Sequence, residues 1–235
     1  REIGRRFVAF LQEQGTQQQG DGAPAGLPGA HEIPGAAELT RDQLACFLAA
    51  DLSTPLNHEI EKWNTNGESI VWVQVREVAD TNTSFWMLWG NPGKTNAPPL
   101  CATNGSTWTT NFMGVWHMNQ ANAQDSTPRD HDCTVMGGSV VGAVAAIGYG
   151  NSFNRDSGSY VRTADSPDFD LPGEYTISLW ALDTGRQTGE HGMMGTYNDG
   201  FIFAINNNTL GFWNEDWYGG PQVSDASWHH LVVTK

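Results

Sequence analysis

Basic residues are scarce in this chain. It has 12 Lys and Arg against 26 Asp and Glu over 235 residues, which gives a formal net charge of −14. Such a charge repels phosphate backbones, so the sequence argues against a nucleic-acid partner. Charged residues make up only 16%, whereas there are 27 Gly, 10 Trp and 10 Phe. This composition favours an extracellular type of β protein, and acidic loops are compatible with calcium as a cofactor.

Cysteine is rare as well. The three cysteines are Cys46, Cys101 and Cys133. They form neither a CxxC pair nor a Cys/His cluster, so a zinc site is not expected. Cys101 and Cys133 are able to pair in an oxidising compartment, and three unpaired thiols are the alternative. The sequence leaves both open, because it does not fix the distance between the two residues.

Several recognisable segments are missing. No run of 18 apolar residues occurs, so no membrane-spanning segment is expected in this chain. The chain starts at Arg1 without a signal-type apolar stretch, so we expect any secretion signal to lie upstream, in a larger multidomain protein. A GxSxG elbow, a second His for an HExxH motif at His58 and a phosphate-binding Gly loop are also missing. These gaps argue against α/β-hydrolases, zinc proteases and nucleotide-dependent enzymes.

The first 46 residues differ in composition from the rest. The apolar spacing in residues 1–14 predicts a short helix, with Ile3, Phe7, Phe10 and Leu11 on one face. Residues 15–38 are rich in Gln, Gly, Ala and Pro and are typical of a linker or a disordered segment. Residues 40–50 are predicted to add one or two helical turns.

From residue 56 onward the sequence predicts short strands. SIVWVQV at 69–75 alternates, with Val71, Val73 and Val75 on one face. FMGVWHMN at 112–119 is predicted as a strand, and the glycines of residues 135–150 argue against a helix there. Regularly spaced strands follow up to Lys235, which is typical of an antiparallel sandwich or jelly roll. Its facing layers are predicted to contain two sets: Tyr175, Ile177, Leu179 and Ala181, and Phe201, Phe203 and Ile205.

Two resemblances emerge from these strands. LNHEIEKWN, SIVWVQV and FWMLWGNP are similar to the bacterial domain of unknown function 2341. VWHMN, the DST of 125–127, YTISLWAL and SWHHLVV resemble a laminin-G-like, concanavalin A-type jelly roll. The resemblance implies an all-β protein: an atypical segment (1–46), part of the first domain (47–100), a connector (101–111) and a C-terminally truncated jelly roll (112–235).

Glu59 and Glu61 are the candidate catalytic pair. At i and i+2 on one strand they share a face, about 6.6 to 6.8 Å apart along the backbone. Leaning together, they approach the separation of about 5 to 5.5 Å that retaining glycosidases use. The alternative is a solvated strand face with Lys62 and His58 nearby. We favour that alternative and expect no catalytic residues.

The segment GFWNEDWYGG at 211–220 is the candidate ligand-binding region. Its aromatic side chains offer flat apolar faces to sugar rings, and its polar side chains can bind hydroxyls or calcium. These candidates are Trp213, Asn214, Glu215, Trp217 and Tyr218. The laminin-G-like resemblance implies Asp199 and Asp216 as calcium ligands. Asp125 and Asp156 are the alternative loop acids, which we expect instead to be turn or capping residues.

We therefore expect a non-catalytic binding module of a bacterial surface, periplasmic or secreted protein. Its ligand would be a glycan or a surface protein, with calcium as a candidate cofactor. One alternative, implied by the first resemblance, is a structural or sensor domain of a proton-channel-type envelope transport protein. The other alternative is a glycoside hydrolase that uses Glu59 and Glu61.

Overall fold

The fold was obtained as a computed structural model. It describes ten stretches of the chain: residues 7–13, 46–62, 69–78, 83–88, 100–138, 140–154, 157–170, 173–184, 189–196 and 200–235. The described residues form strands and two short 3₁₀ turns, Leu100–Ala102 and Pro167–Phe169. The strands, in chain order, are β1 Phe7–Glu13, β2 Cys46–Ala49, β3 His58–Lys62, β4 Ser69–Val75, β5 Phe85–Leu88, β6 Thr134–Met136, β7 Val141–Val144, β8 Tyr149–Ser152, β9 Tyr160–Arg162, β10 Thr176–Leu182, β11 Glu190–Gly195, β12 Ile202–Asn206, β13 Thr209–Asn214, β14 Asp216–Gln222 and β15 Trp228–Thr234.

The strands pair antiparallel throughout the described sheets, which confirms the predicted all-β fold. The described residues divide into two compact units. The first contains the residues up to His117 together with Ala123–Asp132. The second contains Met118–Asn122 and Cys133–Lys235. Residues 112–117 and 123–132, assigned to the jelly roll on resemblance, thus lie in the first unit. Across these stretches the structure contains no helix long and apolar enough to cross a bilayer.

Three secondary-structure predictions are wrong. The predicted N-terminal helix is replaced over Phe7–Glu13 by β1, which pairs with β4, and the predicted helical turns near residue 46 are replaced by β2, which pairs with β5. A short apolar run is compatible with a helix or with a strand. In both segments, pairing with a neighbouring strand favours the strand. The predicted strand at 112–119 is irregular, and Trp116 makes a single bridge to Asp125. The Asp125 side chain binds the Val115 N–H, a donor that a strand would use.

The first unit is built on a sheet of order β1-β4-β3, with the separate pair β2–β5. Val71 and Val73 of β4 join a buried cluster with Phe47, Leu56 and Ile60. Trp72 and Gln74 alternate onto the opposite face, as predicted, and are half-buried. The register between β3 and β4 is irregular between Ile60 and Lys62, where one extra residue, Glu61, is inserted.

His58 belongs to the apolar side of this sheet. It is buried, and its ring lies 4.9 Å from the ring of Phe47. Burial lowers the pKa of His58 below its ordinary value of 6.5, although a hydrogen bond with the Leu56 carbonyl opposes the change. The imidazole is therefore neutral in the folded chain, and it does not share a solvated face with the two glutamates.

This lowered pKa predicts a pH dependence of stability. As the pH falls below about 6.5, the unfolded chain takes up a proton at His58 that the folded chain does not bind, so the free energy of unfolding falls. His58→Leu should reduce that fall, by at most about 1.4 kcal/mol per pH unit. Urea unfolding at pH 7.0 and 5.5 measures it, with His229→Gln in the second unit as control. An unchanged pH dependence in His58→Leu would contradict the prediction.

The second unit contains a sheet of order β11-β12-β13-β14 and the pairs β10–β15, β6–β9 and β7–β8. Asn207 and Asn208 connect β12 to β13 with φ of 48° and 68°, as a two-residue type I′ hairpin turn requires. The described residues of the glycine-rich stretch 135–150 form no helix, as predicted, and they include β7 and parts of β6 and β8. The two predicted facing layers pack in one apolar cluster, whose buried members are Ile177, Phe201, Phe203, Ile205, Phe212, Val223 and Leu231.

Candidate functional site

Glu59 and Glu61 lie on the same face of β3, but that face is not solvated. The side chain of Glu59 is 20% exposed and that of Glu61 is 3% exposed. Both carboxylates contact His117, whose side chain is 9% exposed. The prediction that the pair keeps a strand face in water is therefore wrong, because the segment that follows the first domain covers it.

Neutral donors hold the carboxylate oxygens of both residues. Trp108 Nε1 donates to Glu59 Oε2 at 2.5 Å, and Ser126 Oγ donates to Glu59 Oε1 at 2.7 Å. Trp72 Nε1 donates to Glu61 Oε2 at 2.7 Å. We call Glu59, Glu61, Trp72, Trp108, His117 and Ser126 the carboxylate cluster. Its hydrogen bonds join residues that are up to 67 positions apart in the chain.

His117 occupies the centre of the carboxylate cluster. Its Nε2 lies 3.4 Å from Glu59 Oε2, and its Nδ1 lies 3.5 Å from Glu61 Oε2. These are ion-pair distances, and buried Nε2 makes no hydrogen bond of normal geometry. The imidazole stacks on Trp72 at 5.1 Å between centroids with a 21° interplanar angle, and its centroid is 5.8 Å from that of Trp108.

The surroundings of Glu59 change its acidity. Burial alone would raise the pKa of Glu59, but hydrogen bonding and charge from His117, with the hydrogen bonds from Ser126 and Trp108, lower it below its ordinary value. A glycosidase acid needs a raised pKa and access to the leaving group. A carboxylate with a lowered pKa, held by two hydrogen-bond donors and close to His117, is suited to a structural role in the fold rather than to donating a proton.

Asp125 organises the segment that carries Ser126. Its Oδ1 accepts hydrogen bonds from the backbone N–H groups of Val115 and Thr127, both at 2.9 Å. Its Oδ2 accepts from Thr127 Oγ1 at 2.8 Å and from the His131 N–H at 3.0 Å. Asp125 is thus the turn-forming residue that the sequence predicted. Sequence reasoning missed His117 and Ser126, although both lie in the quoted motifs VWHMN and DST.

The predicted ligand-binding residues lie on the hairpin of β13 and β14. Trp213 pairs with Trp217, Phe212 pairs with Tyr218, and Glu215 forms the turn with φ of 67°. Because side chains alternate along a strand, Trp213 and Trp217 share one face. Tyr218 lies on the opposite face, so it cannot stack on the same sugar ring as Trp217.

Trp217 is an exposed aromatic residue that packs against Gly211. Its indole lies over Gly211, where an added Cβ would come within 2.8 Å of the ring carbon Cζ3. The residue is nevertheless 46% exposed, and Tyr218 is 61% exposed. Gly211 therefore allows the indole to approach the backbone of β13, while nearly half of the residue stays exposed to solvent.

The polar candidates divide into two groups. Asn214 has a role within the fold: its Nδ2 donates to the Gly200 carbonyl at 3.0 Å, and its Oδ1 accepts from Lys235 Nζ at 2.6 Å. Glu215 and Asp216 are exposed at the tip of the hairpin. The predicted calcium ligand Asp199 and the alternative Asp156 lie outside the described residues.

The described residues contain neither a metal cluster nor the disulfide that the sequence left open. Over this part of the chain, no group of three or more His, Cys, Asp or Glu side chains is arranged to hold a metal ion. Cys101 carries a free thiol, so the structure contains no Cys101–Cys133 disulfide.

One comparison with known proteins gives a match. Residues 46–111 match a family model described as Domain of unknown function (DUF2341), in agreement with the first resemblance. No curated protein and no solved structure matches the chain. The match includes Glu59, Glu61, Trp72 and Trp108, but it ends before His117 and Ser126, which complete the carboxylate cluster. The laminin-G-like resemblance of residues 112–235 stays a prediction.

Proposed function

We propose that the chain is a non-catalytic carbohydrate-binding module of a protein at the cell surface or outside the cell. The observation that carries this proposal is the exposed side chain of Trp217, which packs against Gly211 and pairs with Trp213 across the hairpin. Flat aromatic faces suit the apolar faces of sugar rings, because both bury area with little loss of side-chain freedom. A sheet also holds such a ring more rigidly than a loop does.

The negative charge of the hairpin tip and of the whole chain indicates which class of glycan can bind. Glu215 and Asp216 are exposed at the hairpin tip, and the chain has a formal net charge of −14. A uronic-acid or sulfated polymer would be repelled by this surface. The two carboxylates can instead accept hydrogen bonds from the hydroxyls of a neutral glycan, so we propose a neutral polysaccharide as the ligand.

The carboxylate cluster supports the non-catalytic side of the proposal. Glu61 is almost completely buried, and Glu59 has a lowered pKa with its oxygens bonded to Trp108 and Ser126. Neither residue offers the protonated, accessible acid that glycoside hydrolysis needs. Ligand contact is instead expected at the hairpin of the second unit.

A glycan array tests the proposal, with Trp217→Ala and Tyr218→Ala as a matched pair. We expect Trp217→Ala to weaken binding at least about tenfold, because a central aromatic contact typically contributes 2 kcal/mol or more. Tyr218→Ala should leave affinity for the same glycan within about twofold, since Tyr218 lies on the opposite face. Gly211→Ala keeps every aromatic ring but displaces the Trp217 indole, and it should also weaken binding.

The array is run with calcium and with a chelator, which tests calcium as the cofactor. Binding that disappears with the chelator and with Asp216→Asn would assign the ion to the hairpin tip. A folded chain that binds no neutral glycan in either condition would refute the carbohydrate proposal. Equal losses in Trp217→Ala and Tyr218→Ala would refute the assignment to one face of the hairpin.

A further inference from the structure

We propose that the outward face of the strand pair β10–β15 is a second binding site for a neutral glycan, centred on Trp180. The class of ligand rests on the proposed function, but the residues differ from those of the β13–β14 hairpin. Ile177 and Leu231 of these two strands belong to the apolar core of the second unit, so the alternate residues face away from that core. The outward residues are Thr176, Ser178, Trp180 and Leu182 on β10, paired with Thr234, Val232, His230 and Trp228 on β15.

Trp180 lies at the centre of this face and is held in place by its neighbours. Its ring stacks on His230, with 5.0 Å between the centroids and an interplanar angle of 23°. His230 is held in turn, because its Nε2 forms a 2.8 Å hydrogen bond with Ser178 Oγ. Trp180 nevertheless remains 46% exposed. An exposed aromatic residue that is already fixed loses little side-chain freedom when a ligand covers it, so stacking on a sugar ring is favourable.

The polar groups on this face are suited to a neutral ligand. None of its residues is Lys, Arg, Asp or Glu, although the chain has 26 Asp and Glu in all. Exposed hydroxyl groups lie at one end, where Thr176 Oγ1 and Thr234 Oγ1 are 3.2 Å apart and Ser178 follows on β10. A hydroxyl group both donates and accepts hydrogen bonds, so it matches a sugar hydroxyl without requiring a charge on the ligand. An aromatic ring beside such hydroxyls therefore fits a neutral glycan.

The dimensions of the face favour a glycan over a folded protein partner. In the part of the chain that the structure describes, β10 and β15 form a two-stranded sheet, and each strand has 7 residues. At about 3.4 Å per residue and about 4.8 Å per strand, the pair offers a strip of roughly 24 by 10 Å. Its area of about 240 Å² is well below the roughly 800 Å² that each partner contributes to a stable protein interface. A single oligosaccharide chain can cover such a narrow strip.

The second site is expected to bind more weakly than the hairpin. At the hairpin, the exposed carboxylates of Glu215 and Asp216 precede Trp217 in the chain, whereas the outward face of β10–β15 offers hydroxyl groups. Hydrogen bonds to a charged acceptor are the stronger ones. The loss of affinity expected for Trp217→Ala therefore leaves the weaker binding at Trp180, which that variant makes measurable by itself.

Isothermal titration calorimetry on the full chain tests the second site, with soluble neutral hexasaccharides of glucose, mannose and xylose as probes. The titration is done in the Trp217→Ala chain, which we expect to bind a single equivalent of a hexasaccharide. Adding Trp180→Ala should weaken that binding at least about tenfold, because a central aromatic contact is lost. Adding Val144→Ala, at a position of the second unit that is 78% exposed, should leave the affinity within about twofold.

The outcomes separate the second site from the proposed function. Loss of all binding in Trp217→Ala alone, or binding there that Trp180→Ala does not change, would overturn the second site and leave the hairpin site standing. A folded, unsubstituted chain that binds none of the hexasaccharides would overturn both. If Trp180→Ala does not fold, His230→Ala takes its place; it removes the ring that holds the indole, and an unchanged affinity would overturn the second site. So would self-association, seen by sedimentation, that Trp180→Ala abolishes, because the face would then bind a second copy of the chain.

Discussion

Asp125→Ala is expected to lower the free energy of unfolding of the first unit by about 3 to 5 kcal/mol. The substitution removes four hydrogen bonds at once, from three backbone N–H groups and the Thr127 hydroxyl. Hydrogen bonds to a charged acceptor contribute about 1.5 to 3 kcal/mol each and do not add fully. The turn that Asp125 forms would then be lost, and with it the placement of Ser126 beside Glu59. Chemical denaturation of the full chain, monitored by tryptophan fluorescence, measures the change.

A neighbouring aspartate provides the control. Asp132 Oδ1 accepts one hydrogen bond, from the Asp125 N–H at 2.7 Å, in an exposed position. Asp132→Ala should therefore cost about 1 kcal/mol or less. Asp125→Asn keeps an oxygen acceptor and should fall between the two. A cost under about 1 kcal/mol for Asp125→Ala would mean that the turn is maintained by other contacts.

Strands with clear alternation could be predicted from the sequence. In β10, Ile177, Leu179 and Ala181 belong to the apolar cluster of the second unit, as their spacing indicated. In β4, Val71 and Val73 join the core of the first unit. Such strands are predictable because a one-residue shift would move every side chain to the wrong face. Periodicity therefore identified two of the five buried residues of the first core and four of the seven in the second.

The helix predictions were wrong because local spacing does not record pairing partners. The apolar residues in FVAFLQE fit a helical face, yet the segment forms a strand beside β4. Likewise, VWHMN has the composition of a strand, but the Val115 N–H is bonded by the Asp125 side chain. That aspartate follows ten residues later, so the competition for the donor is invisible to a pattern read over a few residues.

The carboxylate cluster shows the limit for sites. Spacing correctly placed Glu59 and Glu61 on one face, but it could not show what covers that face. Ser126 is 67 residues away in sequence from Glu59, and resemblance had assigned it to the following jelly roll. The one sequence signal was the presence of a histidine and a serine in adjoining motifs. In the folded chain both glutamates are covered and hydrogen-bonded, which their spacing in the sequence does not indicate.

Glu61→Ala is the second substitution with a large expected effect, a loss of about 3 to 5 kcal/mol in the stability of the first unit. Glu61 is 3% exposed, and its carboxylate binds Trp72 Nε1 at 2.7 Å and contacts His117. Removing it takes this acceptor from the part-buried Trp72 N–H and leaves the buried His117 ring with one carboxylate neighbour fewer. Breaking one side of such a pair costs more than the pair contributes, because the remaining groups stay desolvated.

The comparison of Glu61→Ala with Glu61→Gln separates charge from hydrogen bonding. Glutamine keeps an acceptor for Trp72 Nε1 and removes only the charge. We therefore expect Glu61→Gln to lose roughly half as much stability as Glu61→Ala. Glu77→Ala, at an exposed position, should change stability by no more than about 0.5 kcal/mol. Urea unfolding at pH 7 measures all three. If Glu61→Ala proved as stable as Glu77→Ala, the carboxylate cluster would open to water in solution, and a face available to ligands would again have to be considered for Glu59 and Glu61.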